Sequence, residues 1–341
     1  MYDTTKPYKY QIQQAIRSTW ETPYAFAYLV KGSPYPFVER TERLREITGN
    51  NIDVDHTDGI GTKGSIHAMA RTWDYAVQDA LAMNLNDLLV VRARPYKLQN
   101  HLTLQYDDHE AILAVVTALA GECMGRGIIL SGGETSIHDN IVGMDLSITV
   151  TGFVPEVRQN EFRLGDVLIG LPSTGAHANG FTFIRNTLGG RRDMTTPTKI
   201  YWDEVYPVLQ SPEFEDDIHG MVHIAGGGFT RLLDYADIGK IRLRKWKNRP
   251  AIFGEIYEYH RDVLEDFKAL SQLPVDSSPN KHNRFMYSTF NCGIGFILSV
   301  SQEKSEELAT ILKGEIIGEI TDGKGRVEIE SVFDGNLLEF E

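Results

Sequence analysis

The chain holds 341 residues at 38.4 kDa, of which 42% are hydrophobic and 24% charged. That composition excludes a disordered chain or a fibre, and the length exceeds the roughly 100–200 residues one core usually serves, so two domains are expected, 1–160 and 161–341. With 34 Lys+Arg against 47 Asp+Glu, the formal charge of −13 repels phosphate backbones and anionic lipid; neither nucleic acid nor membrane is expected as a partner.

Residues 1–14 carry no apolar segment of signal-peptide length, and no run of eighteen apolar residues occurs. Cys123 and Cys292 lie far apart without a C-x-x-C motif, as expected in a reducing cytoplasm. Ile12, Ala15 and Ile16 predict a short helix. Tyr24, Phe26, Tyr28, Tyr35 and Phe37 follow, broken by Gly32, Pro34 and Pro36. Residues 51–57 read as a strand running into Asp58-Gly-Ile-Gly-Thr-Lys-Gly64. The spacing of Ala70, Trp73, Ala76, Val77, Ala80, Leu81, Leu85 and Leu88 predicts a helix over 66–91, interrupted near Asn84. A further helix over 108–124 should stop at Gly125 or Gly127.

Ile128–Leu130 is an apolar run that stops at Gly132-Gly133-Glu134-Thr135, setting a carboxylate at the end of a short strand. Met144, Leu146, Ile148 and Val150 alternate with Asp145, Ser147, Thr149 and Thr151, the pattern of a half-buried strand. A polar linker, 155–164, precedes a fresh strand at 165–172, a Ser/Thr/Gly loop and a helix near 178–188. A strand at 293–300 follows much later, and Ser301 should cap a helix that stops before Gly314. Segments 315–320 and 326–331 are expected to pair as a hairpin around Asp322-Gly323. Strands and helices mix in both halves, so the class is two-domain α/β or α+β.

Gly59-Ile-Gly61-Thr-Lys-Gly64 satisfies G-x-G-x-x-G, with Asp79 twenty residues past Gly59. The preceding strand carries Asp53 and Asp55, and Asp58 would repel a pyrophosphate, so a dinucleotide site fits poorly. A phosphate contact shared by bare backbone N–H groups, Lys63 and a metal on Asp58 fits better, with a glycine-rich turn and a solvated lysine equally open. Asp87, beside Asn86 and amid hydrophobes, needs a partner or a cation, or else caps a second helix. Glu134 and Asp145 are further carboxylates in comparable contexts. Several acids near glycine turns, plus a lysine, describe a magnesium–nucleotide site without a Walker A motif. In the second half Ser173, Thr174, His177 and Asn179 could hydrogen-bond a phosphate or sugar, and Gly226–Gly228 admit a close approach. Cys292 reads as a core thiol.

His56-Thr-Asp-Gly-Ile-Gly-Thr-Lys63, Asn84-Leu-Asn-Asp-Leu-Leu89 and Gly132-Gly-Glu-Thr135 resemble the N-terminal signatures of the aminoimidazole ribonucleotide synthetase family. Gly165-Asp-Val-Leu-Ile-Gly, Ser173–Gly180, Pro197–Tyr201, His223–Gly228 and Met286–Gly295 resemble its second-domain motifs, in order. The resemblance implies two α/β domains, the first a half-barrel that pairs with a second subunit. It implies an ATP-dependent cyclo-ligase that closes formylglycinamidine ribonucleotide to aminoimidazole ribonucleotide in purine biosynthesis. Asp58, Asp87 and Glu134 would then hold Mg²⁺, with Gly59, Gly61, Thr62, Lys63, Asn86, Gly132 and Gly133 around ATP. Ser173, Thr174, His177, Asn179, Gly180 and Gly226–Gly228 would receive the ribonucleotide, Lys63 offsetting charge and His177 moving a proton. A relative phosphorylating another small acceptor, or a nucleotide-binding paralogue without turnover, are the competing readings.

Overall fold

Alternation along Met144–Val154 builds the spine of the first of two compact units. In a computed structural model, which describes residues 8–31, 36–43, 46, 52–270 and 280–341, the units are Met1–Arg158 with Gly190–Trp202, and Gln159–Gly189 with Asp203–Glu341. Residues Gly32, Pro34, Tyr35 and Asn51 lie outside the described residues.

The first unit opens with α1 (Lys9–Arg17) and the antiparallel pair β1 (Ala25–Tyr28) and β2 (Phe37–Arg40). Next come β3 (Ile52–Gly59), α2 (Lys63–Ala70), α3 (Trp73–Val90), β4 (Arg94–Leu104), α4 (His109–Arg126), β5 (Ile129–Ile137) and β6 (Met144–Val154). The four strands form one sheet in the order β3-β6-β4-β5, with only β4 and β5 parallel. Met144, Leu146, Ile148 and Val150 of β6 are buried, and α2 and α3 pack against the strand. Asp145, Ser147 and Thr149 on the opposite face stay half-buried. Asp108 caps α4 by accepting from Ala111 N at 3.0 Å, and Gly127 ends it at φ 69°.

Two helical expectations change. The interruption falls at Arg71 and Thr72, where Arg71 takes the left-handed conformation (φ 53°), and the helix runs unbroken through Asn84. Asp87 therefore lies inside α3 and caps nothing. Strand β5 continues through the glycines to Ile137, because Gly132–Ile137 pair in register with Gln99–Leu104, so Glu134 sits within the strand rather than at its end.

The second unit contains β7 (Val167–Pro172), α5 (Phe181–Thr187), α6 (Trp202–Leu209), β8 (Ile218–His223), β9 (Lys240–Leu243), α7 (Ala251–Leu270), α8 (Lys281–Thr289), β10 (Ile294–Val300), α9 (Ser305–Ile311), β11 (Glu315–Thr321), β12 (Val327–Glu330) and β13 (Leu337–Phe340). Its seven strands follow the order β13-β12-β9-β11-β7-β10-β8. The expected hairpin is absent: β11 pairs with β7 and β9, while β12 pairs parallel to β9 and antiparallel to β13. Strand β9 fills the place that the Asp322-Gly323 turn would have closed. Ser301 caps the turn before α9 rather than the helix, accepting from Lys304 N at 3.4 Å while donating to Asp217.

Candidate functional site

Strand alternation places His56 and Asp58 on the helix-facing side of β3. His56 Nε2 lies 3.2 Å from Asp87 Oδ2, and its Nδ1 lies 2.9 Å from Asn84 Oδ1. The Asn84 amide nitrogen donates to the carbonyls of Asp58 and Ala80, so Asn84 Oδ1 is the acceptor that faces His56 Nδ1. The hydrogen bond to Asp87 raises the His56 pKa, against the opposing effect of burial. Asp58 Oδ1 accepts from Gly59 N at 2.7 Å. Beyond it Gly61, at φ 52° with open space around its Cα, and Thr62 are exposed. Asp58, Asp87 and His56 thus lie near one another beside an open turn. His56, two residues before Asp58, is the member of this group that strand periodicity alone could have found.

Lys63 does not join it. The side chain is fully buried, its Nζ 2.8 Å and 3.0 Å from the two oxygens of Asp79 and 2.7 Å from the carbonyl of Thr196. Asp79 also accepts from His67 at 2.7 Å, and from Thr198 N at 2.7 Å and Oγ1 at 2.5 Å. Asn86, expected at a nucleotide, is buried too, donating to Lys199 O at 2.9 Å and accepting from Tyr201 N at 2.7 Å. Four polar side chains of α2 and α3, Gln78 included through its 3.1 Å bond to Thr198 O, are spent on the backbone of 196–201, which is how that segment belongs to the first unit although it falls beyond the boundary expected at 160.

Glu134 is separated from the other two acids. Asp58 aligns with Ile148, Ile148 with Asn100 and Asn100 with Gly133, so three strand spacings, ~14 Å, divide β3 from β5. Glu134, one residue on, points to the opposite face. It cannot share one ion with Asp58 and Asp87 within this unit, and no cluster of three or more metal-ligating side chains occurs among the described residues. Glu134 instead borders a cavity of about 800 Å³, with Gly132, Gln99, His101, Ser147 and Thr149 in its wall. His101 Nε2 lies 2.9 Å from Ser136 Oγ there. The glycines at 59 and 133 serve the sheet: a Cβ would meet Ser147 at the first and Asn100 at the second.

In the second unit, β7 ends at Pro172 and releases the loop 173–180. Ser173 is buried and donates to Asn291 Oδ1 at 2.8 Å, so its proton is spent within the protein. Thr174 is exposed. His177 is 1% exposed at φ 59°, and its Nε2 accepts from Thr174 N at 3.3 Å. That bond gives the imidazole a loop-holding part through Nε2. Asn179 is half-buried, its side-chain oxygen facing Gly226. Gly226 and Gly227 are exposed, whereas Gly180 and Gly228 are glycine because Phe290 and the Tyr287 carbonyl occupy the space a Cβ would need.

Magnesium normally takes one or two protein carboxylates and completes its shell with phosphate oxygens and water. Asp58 and Asp87, both near His56, offer a donor set of that size, whereas the strand spacing keeps Glu134 from joining them on one ion. The domain description "AIR synthase related protein, N-terminal domain" matches residues 44–154, and "AIR synthase related protein, C-terminal domain" matches 163–330. The chain belongs to this family. Similar proteins include the phosphoribosylformylglycinamidine cyclo-ligases of Methanosarcina mazei, 30% identical over 80% of both chains, and Carboxydothermus hydrogenoformans, 31% identical over 83% of this chain and 85% of that one. Among solved structures, hydrogenase maturation protein HypE in complex with ATP superposes with TM-score 0.63 at 16% identity, covering 99% of this chain and 95% of that one. Thiamine-monophosphate kinase from Stenotrophomonas maltophilia gives 0.60 at 18%, covering 98% and 97%. These two likenesses carry the two-domain fold, and the family membership makes the chain an enzyme. Among the described residues no helix is long and apolar enough to cross a membrane.

Proposed function

We propose that this chain is a cytoplasmic, homodimeric ligase that uses ATP to close formylglycinamidine ribonucleotide to aminoimidazole ribonucleotide. The observation that carries the reading is identity of 30–31% to named cyclo-ligases over about 80% of both chains. The chemistry has a physical logic. An amide oxygen leaves poorly, so it first attacks the γ-phosphorus of ATP, expelling ADP. The substrate's amidine nitrogen then attacks the activated carbon, the C–O bond breaks, phosphate departs and a proton is lost as the ring forms. Such a reaction asks the protein mainly to orient groups and neutralise charge.

Asp58 and Asp87 would hold magnesium, which when bound supplies positive charge to the phosphates. The exposed turn at Gly61 would approach a phosphate, and His56 would keep Asp87 fixed until the ion arrives. Gly132 and Glu134 would contact the nucleotide along the cavity wall. Thr174, Asn179, Gly226 and Gly227 would receive the ribonucleotide. Mixing the protein with Mg-ATP and formylglycinamidine ribonucleotide should release ADP, phosphate and aminoimidazole ribonucleotide in equal amounts. Release with a different phosphate acceptor only would assign the chain to a kinase-like member, and no release with any acceptor would leave a nucleotide-binding paralogue.

A further inference from the structure

The loop after β7 owes its shape to a buried side chain outside the candidate substrate set. Asn291, 1% exposed, accepts at Oδ1 from Ser173 Oγ at 2.8 Å and from the Gly293 backbone N–H at 3.0 Å, and its Nδ2 donates to the Gly175 carbonyl at 2.9 Å. A backbone N–H can only donate, so the Gly293 contact fixes which end of the amide is oxygen and makes the Gly175 bond a true donor–acceptor pair. The chain closes the arrangement from two more directions. Ser173 N donates to Gly293 O at 2.8 Å, and Asn248 Nδ2 donates to the carbonyls of Ser173 at 3.2 Å and Gly293 at 2.7 Å. Residues 173–175 and 291–293 are therefore one hydrogen-bonded block, and Thr174, exposed between two pinned neighbours, is what that block displays.

We propose that Asn291 is a positioning residue: it sets the conformation in which the 173–180 loop meets the ribonucleotide. The inference rests on that loop being the ribonucleotide site. Asparagine is the side chain the arrangement demands, since one planar amide must offer an acceptor to two donors and a donor to a carbonyl. Aspartate would turn a second carboxylate oxygen onto Gly175 O, and an apolar residue would leave three buried polar groups without partners.

Asn283 supplies the control. It is equally buried in the same unit, donating to Asp334 at 3.0 Å and accepting from Ser331 Oγ at 2.8 Å, and neither of these bonds goes to the loop. In the full chain Asn291→Ala should raise the KM for the ribonucleotide at least tenfold while the KM for ATP stays within twofold, and Asn283→Ala should leave both within twofold. Hydrogen exchange should show the amides of 173–177 opening at least tenfold faster in Asn291→Ala and at the wild-type rate in Asn283→Ala. If the two variants match in both readouts, Asn291 is merely structural and the proposal fails. Should Asn291→Ala not fold, Asn291→Asp, which keeps both accepted bonds, carries the same comparison. Absence of turnover in the unaltered enzyme would overturn the functional reading instead, and the exchange comparison would still decide whether Asn291 holds the loop.

Discussion

A buried ammonium cannot also serve a ligand in water, and Lys63 illustrates the conflict. The motif Gly59–Gly64 displays a lysine at a spacing suited to phosphate, yet a charge moved from water into an apolar interior costs several kcal/mol unless paired. Asp79 is the partner, sixteen residues on, and burial lowers the Lys63 pKa even against that carboxylate. Asp79 is held below the ordinary carboxylate range: burial pushes its pKa up, and Lys63 and His67 together outweigh that. Removing the ammonium alone strands a buried carboxylate, so Lys63→Met should lose about 3–5 kcal/mol in chemical denaturation. Adding Asp79→Asn should restore most of the loss, because the amide oxygen still accepts from Thr198 and the amide nitrogen can donate to His67. The double variant should then turn over at near the wild-type rate. Loss of turnover in a stable double variant would return Lys63 to the nucleotide. The sequence could not show this pairing, because a lysine at the start of one helix and an aspartate on the next carry no local signal of contact.

Elements were legible where their determinants are local. The alternation of β6 and the Asp108 cap and Gly127 stop of α4 each sit within a few residues of what they specify, whereas α3, expected to bury one face, is buried on nearly every side, Asp79, Asn84 and Asn86 included. The hairpin around Asp322-Gly323 failed for the opposite reason. A turn signal between two alternating segments says nothing about a third strand, Lys240–Leu243, arriving from some 75 residues earlier to pair with both. The contact between α7 and α8 was equally silent. There His260 stacks on Phe285 at 4.0 Å between centroids, and its Nδ1 lies 3.1 Å from His282 Nδ1. Burial, aided by the charges of His282 and Lys281, lowers the His260 pKa to about 4. A histidine whose folded pKa is depressed binds fewer protons folded than unfolded between about pH 4 and 6.5. Its contribution is therefore complete above about pH 6.5 and shrinks as pH falls toward 4. Calorimetry across that window should show the melting temperature of the wild type falling more steeply than that of His260→Phe, which keeps the stack and cannot be protonated. Parallel slopes would show that this pair does not govern acid stability.

At the scale of the molecule the family was readable because its motifs recur in order along the chain, whereas the grouping of acids was not, since motif order does not reveal which face of a sheet each residue occupies. The same sheet supplies the last test. One face of β3-β6-β4-β5 packs against helices, and the other presents Thr57 and Thr149, whose hydroxyls meet at 2.9 Å, beside Asp55 bonded to Thr151 at 2.6 Å. We propose that the polar part of this face around Thr57 and Thr149, flanked by a cavity of about 800 Å³ and bounded at one end by Ala25 of β1 packed on Phe153, suits a self-complementary interface, which two copies would share about a two-fold axis. A stable homodimer typically buries more than about 1,000 Å² in total, so a bulky charge near the middle of the face should be repeated across the axis and repel itself. Thr149→Arg is therefore expected to convert a dimer of twice 38.4 kDa into a monomer in sedimentation equilibrium, with far-ultraviolet circular dichroism unchanged. Because Glu134 lies on this face while Asp58 and Asp87 lie on the other, the monomer should lose ATP affinity only to the extent that the nucleotide spans copies. A wild type that sediments as a monomer at micromolar concentration, or a variant that remains dimeric, would remove the open face from the interface.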